Sequence, residues 1–301
     1  MLNKRIISMF LSLLMLIGSY ASFAESEEQK LKQRESYTRI IEVPGRKLVY
    51  MAQNSPEWAD LIFSEKGAKQ LKRFGESGCT PTAISLAILN MVPMEKLSLL
   101  STPLKKPVQI DTKSITRDFG QKQGTRFLIE TDEDYFRYFP AIVAGWACGN
   151  NNYSIKRPGS HSYYKTLLNL YGLKYFTTRD INECIEVIKK GGIVVTSSGG
   201  DKTPIAPKFG HYFLLVGADD EYVYIMDNYF RGDEGYPDDK KHLLEIVDHG
   251  IARFKIADTK KMGLNLKFVI CPNEDSPNYT EEDLERILNV SNSKVGIGNN
   301  K

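Results

Sequence analysis

The spacing of apolar residues changes part-way along this chain, and that change indicates its fold class. Apolar residues recur at helical spacing in residues 77–91, 160–172 and 180–192. From residue 193 onwards the apolar runs are short and rich in Val, Ile, Phe and Tyr: "GIVVTSS", "GHYFLLVGA", "EYVYIMDNY", "GIARFKI" and "LKFVIC". Helices followed by strands predict an α+β fold, in which the second half of the domain forms an antiparallel sheet.

The first 24 residues have the pattern of a secretory signal peptide. Lys4 and Arg5 precede an apolar core over residues 6–18, and residues 22–24, Ser-Phe-Ala, have the small-x-small form of a cleavage site. The core is shorter than the roughly 20 residues that a membrane-spanning helix needs. We therefore expect an exported protein, secreted, periplasmic or at the cell surface, with no stable membrane insertion after signal cleavage. An uncleaved anchor is the alternative.

Composition divides the chain into four segments. We expect a signal peptide at 1–24, a charged linker at 25–40, one domain at 41–273, and a C-terminal helix with a disordered tail at 274–301. The formal net charge of the 301 residues is +3, and basic and acidic residues are interleaved rather than pooled. This mild charge argues against nucleic acid as a partner.

The four cysteines give no metal-binding pattern. Cys79, Cys148, Cys184 and Cys271 are widely spaced, without a Cys-x-x-Cys pair and without histidines at metal-ligand spacing. We therefore expect neither a metal nor an organic cofactor. In an exported chain two disulfides are one interpretation; if Cys79 stays free for chemistry, at most one bridge forms among the other three. Cys184 lies on the apolar face of the helix predicted at 180–192, as a small buried hydrophobe does.

Cys79 stands where a helix is expected to begin. In "FGESGCTPTAISLAIL", Thr80 can cap the helix and Pro81 suits its first turn. Cys79 then lies at the positive end of the helix dipole, which lowers the pKa of a thiol. Backbone N–H groups at that end can bind an oxyanion, and Gly78 leaves room for a substrate backbone to approach. The alternative is a buried structural cysteine before an ordinary helix.

A nucleophilic cysteine needs a base, and His211 is the candidate among four histidines. It begins an apolar strand directly after a glycine, whereas capping, exposure or a turn explains His161, His242 and His249. If "HYFLLVG" and "EYVYIMDNY" pair around a three-residue turn, His211 lies directly opposite Asp227, and the carboxylate can orient the imidazole. The alternative for Asp227 is a turn residue that ends its strand.

The segment "YMAQNSPEWADLIFSEKGAKQLKRFGESGCTPTAISLAIL" resembles the opening of the exported, double-glycine-leader-peptidase-like cysteine peptidases of bacteria, a family that resembles papain in fold. The shared pattern is a glutamine, a tryptophan a few residues later, and Gly-Cys-x-Pro-Thr-Ala at the start of a helix, here Gln53, Trp58 and residues 78–83. The later order of helices, a Gly-rich strand, a Gly-His strand and a strand ending in Asp is also similar. The resemblance spans roughly residues 48–230.

The resemblance implies a papain-like cysteine peptidase domain over residues 41–273 that hydrolyses peptide bonds in a peptide or protein substrate. It assigns the nucleophile to Cys79, the base and later acid to His211, the orienting carboxylate to Asp227, and an oxyanion donor to Gln53. A side-chain amide aimed at developing negative charge is a standard element of such sites.

The chain departs from that family at several points. Thr80 stands where a small residue is common, and Asn228 follows the orienting carboxylate where proline is common. Residues 197–210, rich in Gly and Pro, are either a flap over the cleft or only a long connection between strands.

Two other functions are compatible with the same fold and the same site residues. One is a non-catalytic, exported peptide-binding module, whose usual sign is the loss of a catalytic residue. The other is a cell-wall amidase or acyl transferase, which only the substrate separates from a peptidase.

Overall fold

The computed structural model describes residues 36–60, 73–98, 101–104, 109–111, 126–128, 131–147, 161–199, 210–229 and 241–288. Several predictions fall outside the described residues: the signal peptide at 1–24, most of the linker, Cys148, the tail after residue 288, and residues 200–209 of the candidate flap. Within the described stretches, no helix is long and apolar enough to cross a bilayer.

The described α-helices are α1 (Phe74–Ser77), α2 (Cys79–Leu89), α3 (Asp132–Arg137), α4 (Phe139–Gly145), α5 (His161–Leu170), α6 (Ile181–Lys189) and α7 (Glu281–Leu288). Helices α5 and α6 confirm the helices predicted at 160–172 and 180–192. The helix predicted over 77–91 is instead interrupted at Gly78, and the interruption lies directly before Cys79.

The described strands are β1 (Thr38–Val43), β2 (Arg46–Met51), β3 (Gln109–Asp111), β4 (Arg126–Leu128), β5 (Tyr175–Thr178), β6 (Ile193–Ser198), β7 (His211–Ala218), β8 (Tyr222–Met226), β9 (Glu245–Asp248), β10 (Ile251–Lys255) and β11 (Lys267–Ile270). β1 begins at Thr38, so the linker predicted at 25–40 overlaps the first strand. Tyr279 and Ile287, from the segment predicted to follow the domain, lie buried in its main core.

Seven antiparallel strands form the main sheet, in the order β5-β11-β6-β7-β8-β10-β9. β6, β7, β8, β10 and β11 are the strands predicted from the short apolar runs, so an α+β fold with an antiparallel sheet is confirmed. β5 and β9 were not predicted. They are four-residue strands at the two edges of the sheet, and their side chains are mostly exposed or half-buried, so they lack a buried apolar face.

The main sheet separates two apolar cores. On one face, α2 packs against Leu214 and Met226 in a cluster that also includes the β1–β2 hairpin, α4 and α5. On the other face, α6 packs against Phe213, Leu215 and Ile225. Successive residues of a strand point to opposite faces, so the central strands bury both sides.

Helix α2 is the central helix of the larger core. Ten of its eleven residues are buried, and only the first, Cys79, is half-buried. A helix that is apolar on all sides is typical of a core position. Because the helix is enclosed along its length, its first residue is held in place by the packing of the whole domain.

Asn90 docks the β1–β2 hairpin onto the C-terminal end of α2. Its Oδ1 accepts the Val49 N–H at 2.8 Å, and its Nδ2 donates to Val49 O at 2.9 Å and to Leu86 O at 2.8 Å. The side chain is fully buried. The amide therefore pairs with β2 as the backbone of a neighbouring strand would.

Arg46 joins the C-terminal ends of the two helices that cover opposite faces of the sheet. Its guanidinium donates to Asn90 O, after α2, at 2.5 Å, and to Gly191 O, after α6, at 2.7 Å. The last carbonyls of a helix lack helical partners and carry the negative end of its dipole, so a cation stabilises them. Burial lowers the pKa of Arg46 to about 10, which still leaves it charged at neutral pH.

We expect Arg46→Ala to lower the free energy of unfolding by about 3 kcal/mol, since carbonyls at two helix ends lose a charged donor. Arg286→Ala is the matched control, because Arg286 is 54% exposed in its ion pair with Glu133; its loss should cost less than about 1 kcal/mol. Denaturant unfolding of both variants measures the difference. Equal losses would contradict the role of Arg46.

Candidate active site

Cys79 is the first residue of α2, and α1 precedes it with only Gly78 between them. The prediction that Thr80 caps the helix is wrong: Thr80 lies in the first turn, and Gly78 occupies the cap position without a side-chain hydrogen bond. A Cβ atom on Gly78 would lie 2.6 Å from Phe74 O and 2.7 Å from the Phe74 ring. The turn itself therefore requires glycine, whatever approaches it from outside.

His211 and Asp227 are in direct contact, as predicted. Nε2 of His211 lies 2.7 Å from Oδ1 of Asp227, and the two residues are 4% and 1% exposed. The Tyr229 N–H donates to the same Oδ1 at 3.0 Å, and the Asp227 N–H donates to Gly250 O at 2.8 Å. The carboxylate is thus fixed through its side chain and its main chain, and it holds the imidazole in one orientation.

The predicted register of the hairpin formed by β7 and β8 is nevertheless wrong. His211 and Asp227 are not directly opposite each other, because the strands pair Leu214 with Met226. Continuing that pairing by one residue places Asp227 opposite Phe213, two residues from His211 along β7. The contact is therefore a diagonal one between residues on the same face.

A β-bulge at Val216 puts His211 and Asp227 on that common face. Near the turn, Gly217 pairs with Tyr224, and the register shifts by one residue between there and the end of the hairpin. If the register at the turn continued unchanged, His211 and Asp227 would lie on opposite faces, because one residue of slip reverses every side chain. Bulges re-aim side chains in this way near functional sites.

The Cys79 thiol lies next to the imidazole of His211, the backbone N–H of Tyr212 and the hydroxyl of Thr80, and all three lower its pKa. Oγ1 of Thr80 lies 3.9 Å from the sulfur. Because Asp227 occupies Nε2 of the imidazole, Nδ1 is the ring nitrogen left for the thiol. Thr80, predicted as a cap, thus contacts the nucleophile instead.

These contacts favour the charged forms of both side chains. Burial raises the pKa of the Cys79 thiol, but the hydrogen bond and charge of His211 outweigh burial, so the pKa lies below its ordinary value. Burial lowers the pKa of His211, but the Asp227 carboxylate and the Cys79 thiolate outweigh it and raise the pKa to about 9. Both shifts favour an ion pair of a thiolate and an imidazolium, and His211 is protonated at neutral pH.

Cys184 shows what burial does to a thiol without a histidine. It is fully buried and donates to Asp180 O at 3.2 Å, and burial raises its pKa to about 12. The prediction of a small buried hydrophobe is confirmed. Among the described cysteines, Cys79, Cys184 and Cys271 are all free thiols, so none bridges another.

Gln53 lies beside the turn that carries Cys79. It is 2% exposed, and its Nε2 donates to Gly75 O at 2.8 Å. In a continuous helix this carbonyl would accept the N–H of Cys79, four residues later. Because α1 ends before Cys79, no backbone carbonyl in the described part of the chain accepts that N–H. The Cys79 N–H and the second amide hydrogen of Gln53 are the donors that an oxyanion site needs.

Sequence reasoning did not identify Asn228 as a residue that contacts Cys79 and Gln53. Its Nδ2 donates to Cys79 O at 2.8 Å, its backbone carbonyl accepts the Gln53 N–H at 2.6 Å, and its side chain is fully buried. The departure from proline at this position was the available signal, since asparagine adds a side-chain donor that proline lacks.

Three residues discussed in the sequence analysis, Trp58, His242 and His249, are not among the partners described for Cys79, His211 and Asp227. Trp58 is buried in the main core and donates to Ala52 O at 3.1 Å. His242 and His249 are exposed. Across the described stretches, no three His, Cys, Asp or Glu side chains are grouped so as to hold a metal ion.

Comparisons with models of known protein families, with curated proteins and with solved structures gave no match to this chain.

We expect Gly78→Ala to lower the free energy of unfolding by about 1–3 kcal/mol, because the added methyl group overlaps Phe74, which is fully buried. Gly199→Ala is the control, since the nearest atom to an added Cβ there is 3.9 Å away. Denaturant unfolding compares the two. If Gly78→Ala unfolds like the control, the turn does not depend on glycine.

The stability that His211 contributes should depend on pH in a defined direction. Since folding raises the pKa of His211 from 6.5 to about 9, its contribution is fully present below about pH 6.5 and is lost as the pH rises through about 9. We therefore expect the difference in Tm between wild type and His211→Ala to shrink from about pH 6 to about pH 10. His242→Ala, at an exposed site, is the control. A constant difference for His211→Ala would contradict the raised pKa.

Proposed function

We propose that this chain is an exported, papain-like cysteine hydrolase of the double-glycine-leader-peptidase-like family, and that it cleaves peptide bonds. The observation that supports this most strongly is the chain of contacts from the Cys79 thiol to His211 and from His211 to Asp227. Each member has a partner that favours its charged form, which is the arrangement of an activated nucleophile, a base and an orienting group.

In the first half of the reaction, the Cys79 thiolate attacks the carbonyl carbon of the scissile bond. A C–S bond forms, and the carbonyl π electrons move onto oxygen. When this intermediate collapses, the C=O bond re-forms and the C–N bond breaks. The leaving amine takes the proton from Nδ1 of His211, and a thioester remains on Cys79.

In the second half, water hydrolyses the thioester. Neutral His211 accepts a proton from the water as its oxygen attacks the carbonyl carbon. Collapse of the second intermediate breaks the C–S bond and releases the carboxylic acid. The thiolate of Cys79 and the imidazolium of His211 are restored, so no other reactant is needed.

The negative charge on oxygen is held by the Cys79 N–H and by Gln53 Nε2. Both groups are anchored at the same turn: Cys79 opens α2, and Gln53 is bonded to Gly75 O. Donors fixed before the reaction stabilise an oxyanion more than donors that must reorganise.

We expect Gln53→Ala to reduce kcat by about 10²–10³ once a substrate is found, with a smaller change in KM.

Alkylation of the purified protein in reducing buffer tests the nucleophile without a substrate. An ordinary thiol is almost entirely protonated at about pH 6, since its pKa is about 8.5. We expect iodoacetamide to label Cys79 rapidly at that pH, as shown by peptide mapping, and Cys184 to remain unlabelled. His211→Ala should slow labelling of Cys79 by about tenfold or more. Labelling of Cys79 at the rate of an ordinary thiol would overturn the proposal.

Substrate class is tested next, with Cys79→Ala as the blank. A mixed peptide library and purified cell-wall peptides are incubated with the wild-type protein, and new amine termini are measured. Cleavage of library peptides supports a peptidase, whereas release from cell-wall amides alone shows an amidase. A reactive Cys79 with no turnover of either would indicate a peptide-binding module on the same fold.

A further inference from the structure

Asn228 connects the three elements of the site that the chain brings together from distant positions. It directly follows Asp227, so its Cα lies about 3.8 Å from that of the orienting residue. Its side chain donates to Cys79 O at 2.8 Å, and its backbone carbonyl accepts the Gln53 N–H at 2.6 Å. Asn228, just after the end of β8, is therefore hydrogen-bonded both to the start of α2 and to the segment that follows β2.

Burying the side chain of Asn228 also lowers the stability of the folded protein. It is fully buried, and within the described residues its Oδ1 has no hydrogen-bond partner. A buried polar atom without a partner costs about 1–3 kcal/mol. An apolar residue of similar size would avoid that cost, so the bond from Nδ2 to Cys79 O must supply something that apolar packing does not. Its acceptor is the main-chain carbonyl of the nucleophile.

The bond from Asn228 acts at the point where two separately packed elements meet. Cys79 is carried by α2, which packs on one face of the sheet, whereas Asp227 follows β8 and lies with His211 on the other face. Side-chain packing holds each element within its own core, and the thiol and the imidazole meet where the two elements approach each other. The bond from Asn228 crosses between the two elements directly beside that contact.

We propose that Asn228 is a positioning residue: it holds the Cys79 main chain against the His211–Asp227 pair and keeps the Cys79 N–H in register with the Gln53 amide. This inference rests on the proposed function. It assigns no chemical step to Asn228, which acts through Cys79 and Gln53.

The test compares Asn228→Ala with Asn90→Ala in the purified protein. Both residues are fully buried asparagines that bond to main-chain atoms, one at each end of α2. Both variants should lose stability. The rate of alkylation of Cys79 is measured across pH, together with Tm. We expect Asn228→Ala to lower the alkylation rate at about pH 6 by roughly tenfold and to shift the pH profile of the thiol upward, since small displacements of a reacting pair have large kinetic effects. Asn90→Ala should keep the wild-type profile.

Asn228→Leu keeps the branched shape of the side chain, removes the donor and adds no charge, so it controls for a cavity. If it folds, it should lose the acid-pH reactivity as the alanine variant does. With a cleaved peptide in hand, we expect both variants to lower kcat and to leave KM within about twofold, because the bond affects the nucleophile rather than the substrate site.

The outcomes separate the two proposals. If wild-type Cys79 reacts as an ordinary thiol, the proposed function fails before Asn228 is considered. If wild-type Cys79 is reactive at acid pH, and Asn228→Ala is folded with an unchanged pH profile, the proposed function stands and the positioning role is wrong. An equal shift in Asn90→Ala would also overturn the role, because it would trace the effect to general loosening of α2.

Discussion

The proposed chemistry of this structure depends on the interaction between the Cys79 thiol and the His211 imidazole. Cys79 belongs to a helix enclosed in the larger core, and His211 begins a central strand of the sheet. Burial disfavours the charged form of both side chains, the thiolate and the imidazolium. Together, and with Asp227 behind the imidazole, each stabilises the charge of the other. Cys184, buried without such a partner, has its pKa moved in the opposite direction.

Two interruptions of regular structure make that contact possible. The break at Gly78 separates α1 from α2, so that the Cys79 N–H is not consumed by a helical hydrogen bond, and Gln53 takes the carbonyl that would have accepted it. The bulge at Val216 changes the phase of β7 relative to β8. Without these interruptions, a longer helix and a straighter hairpin would satisfy more backbone bonds, but the donors and the imidazole would face elsewhere.

Much of the fold and the contact between His211 and Asp227 could be predicted from the sequence, because both depend on local patterns. Period-two runs identified the central strands, and the contact between His211 and Asp227 followed from their positions at the same end of one hairpin. The register did not follow, since a bulge depends on packing against other elements and leaves no periodic signal. The contacts of Thr80 and Asn228 were missed for different reasons. Thr80 was assigned to the helix cap, although it lies in the first turn beside Cys79. The partner of the Asn228 side chain is 149 positions away and lies next to it only after folding.

The protonation state of the His211 ring tests the central claim most directly. Nitrogen-15 NMR of the histidine side chains distinguishes a ring protonated on both nitrogens from a neutral one, and it needs neither a substrate nor an alkylating agent. We expect His211 to stay doubly protonated through neutral pH and to lose its proton at about pH 9, in step with its pKa in the folded chain. A His211 ring that is already neutral at about pH 7 would contradict the ion pair with Cys79, and with it the proposed nucleophile.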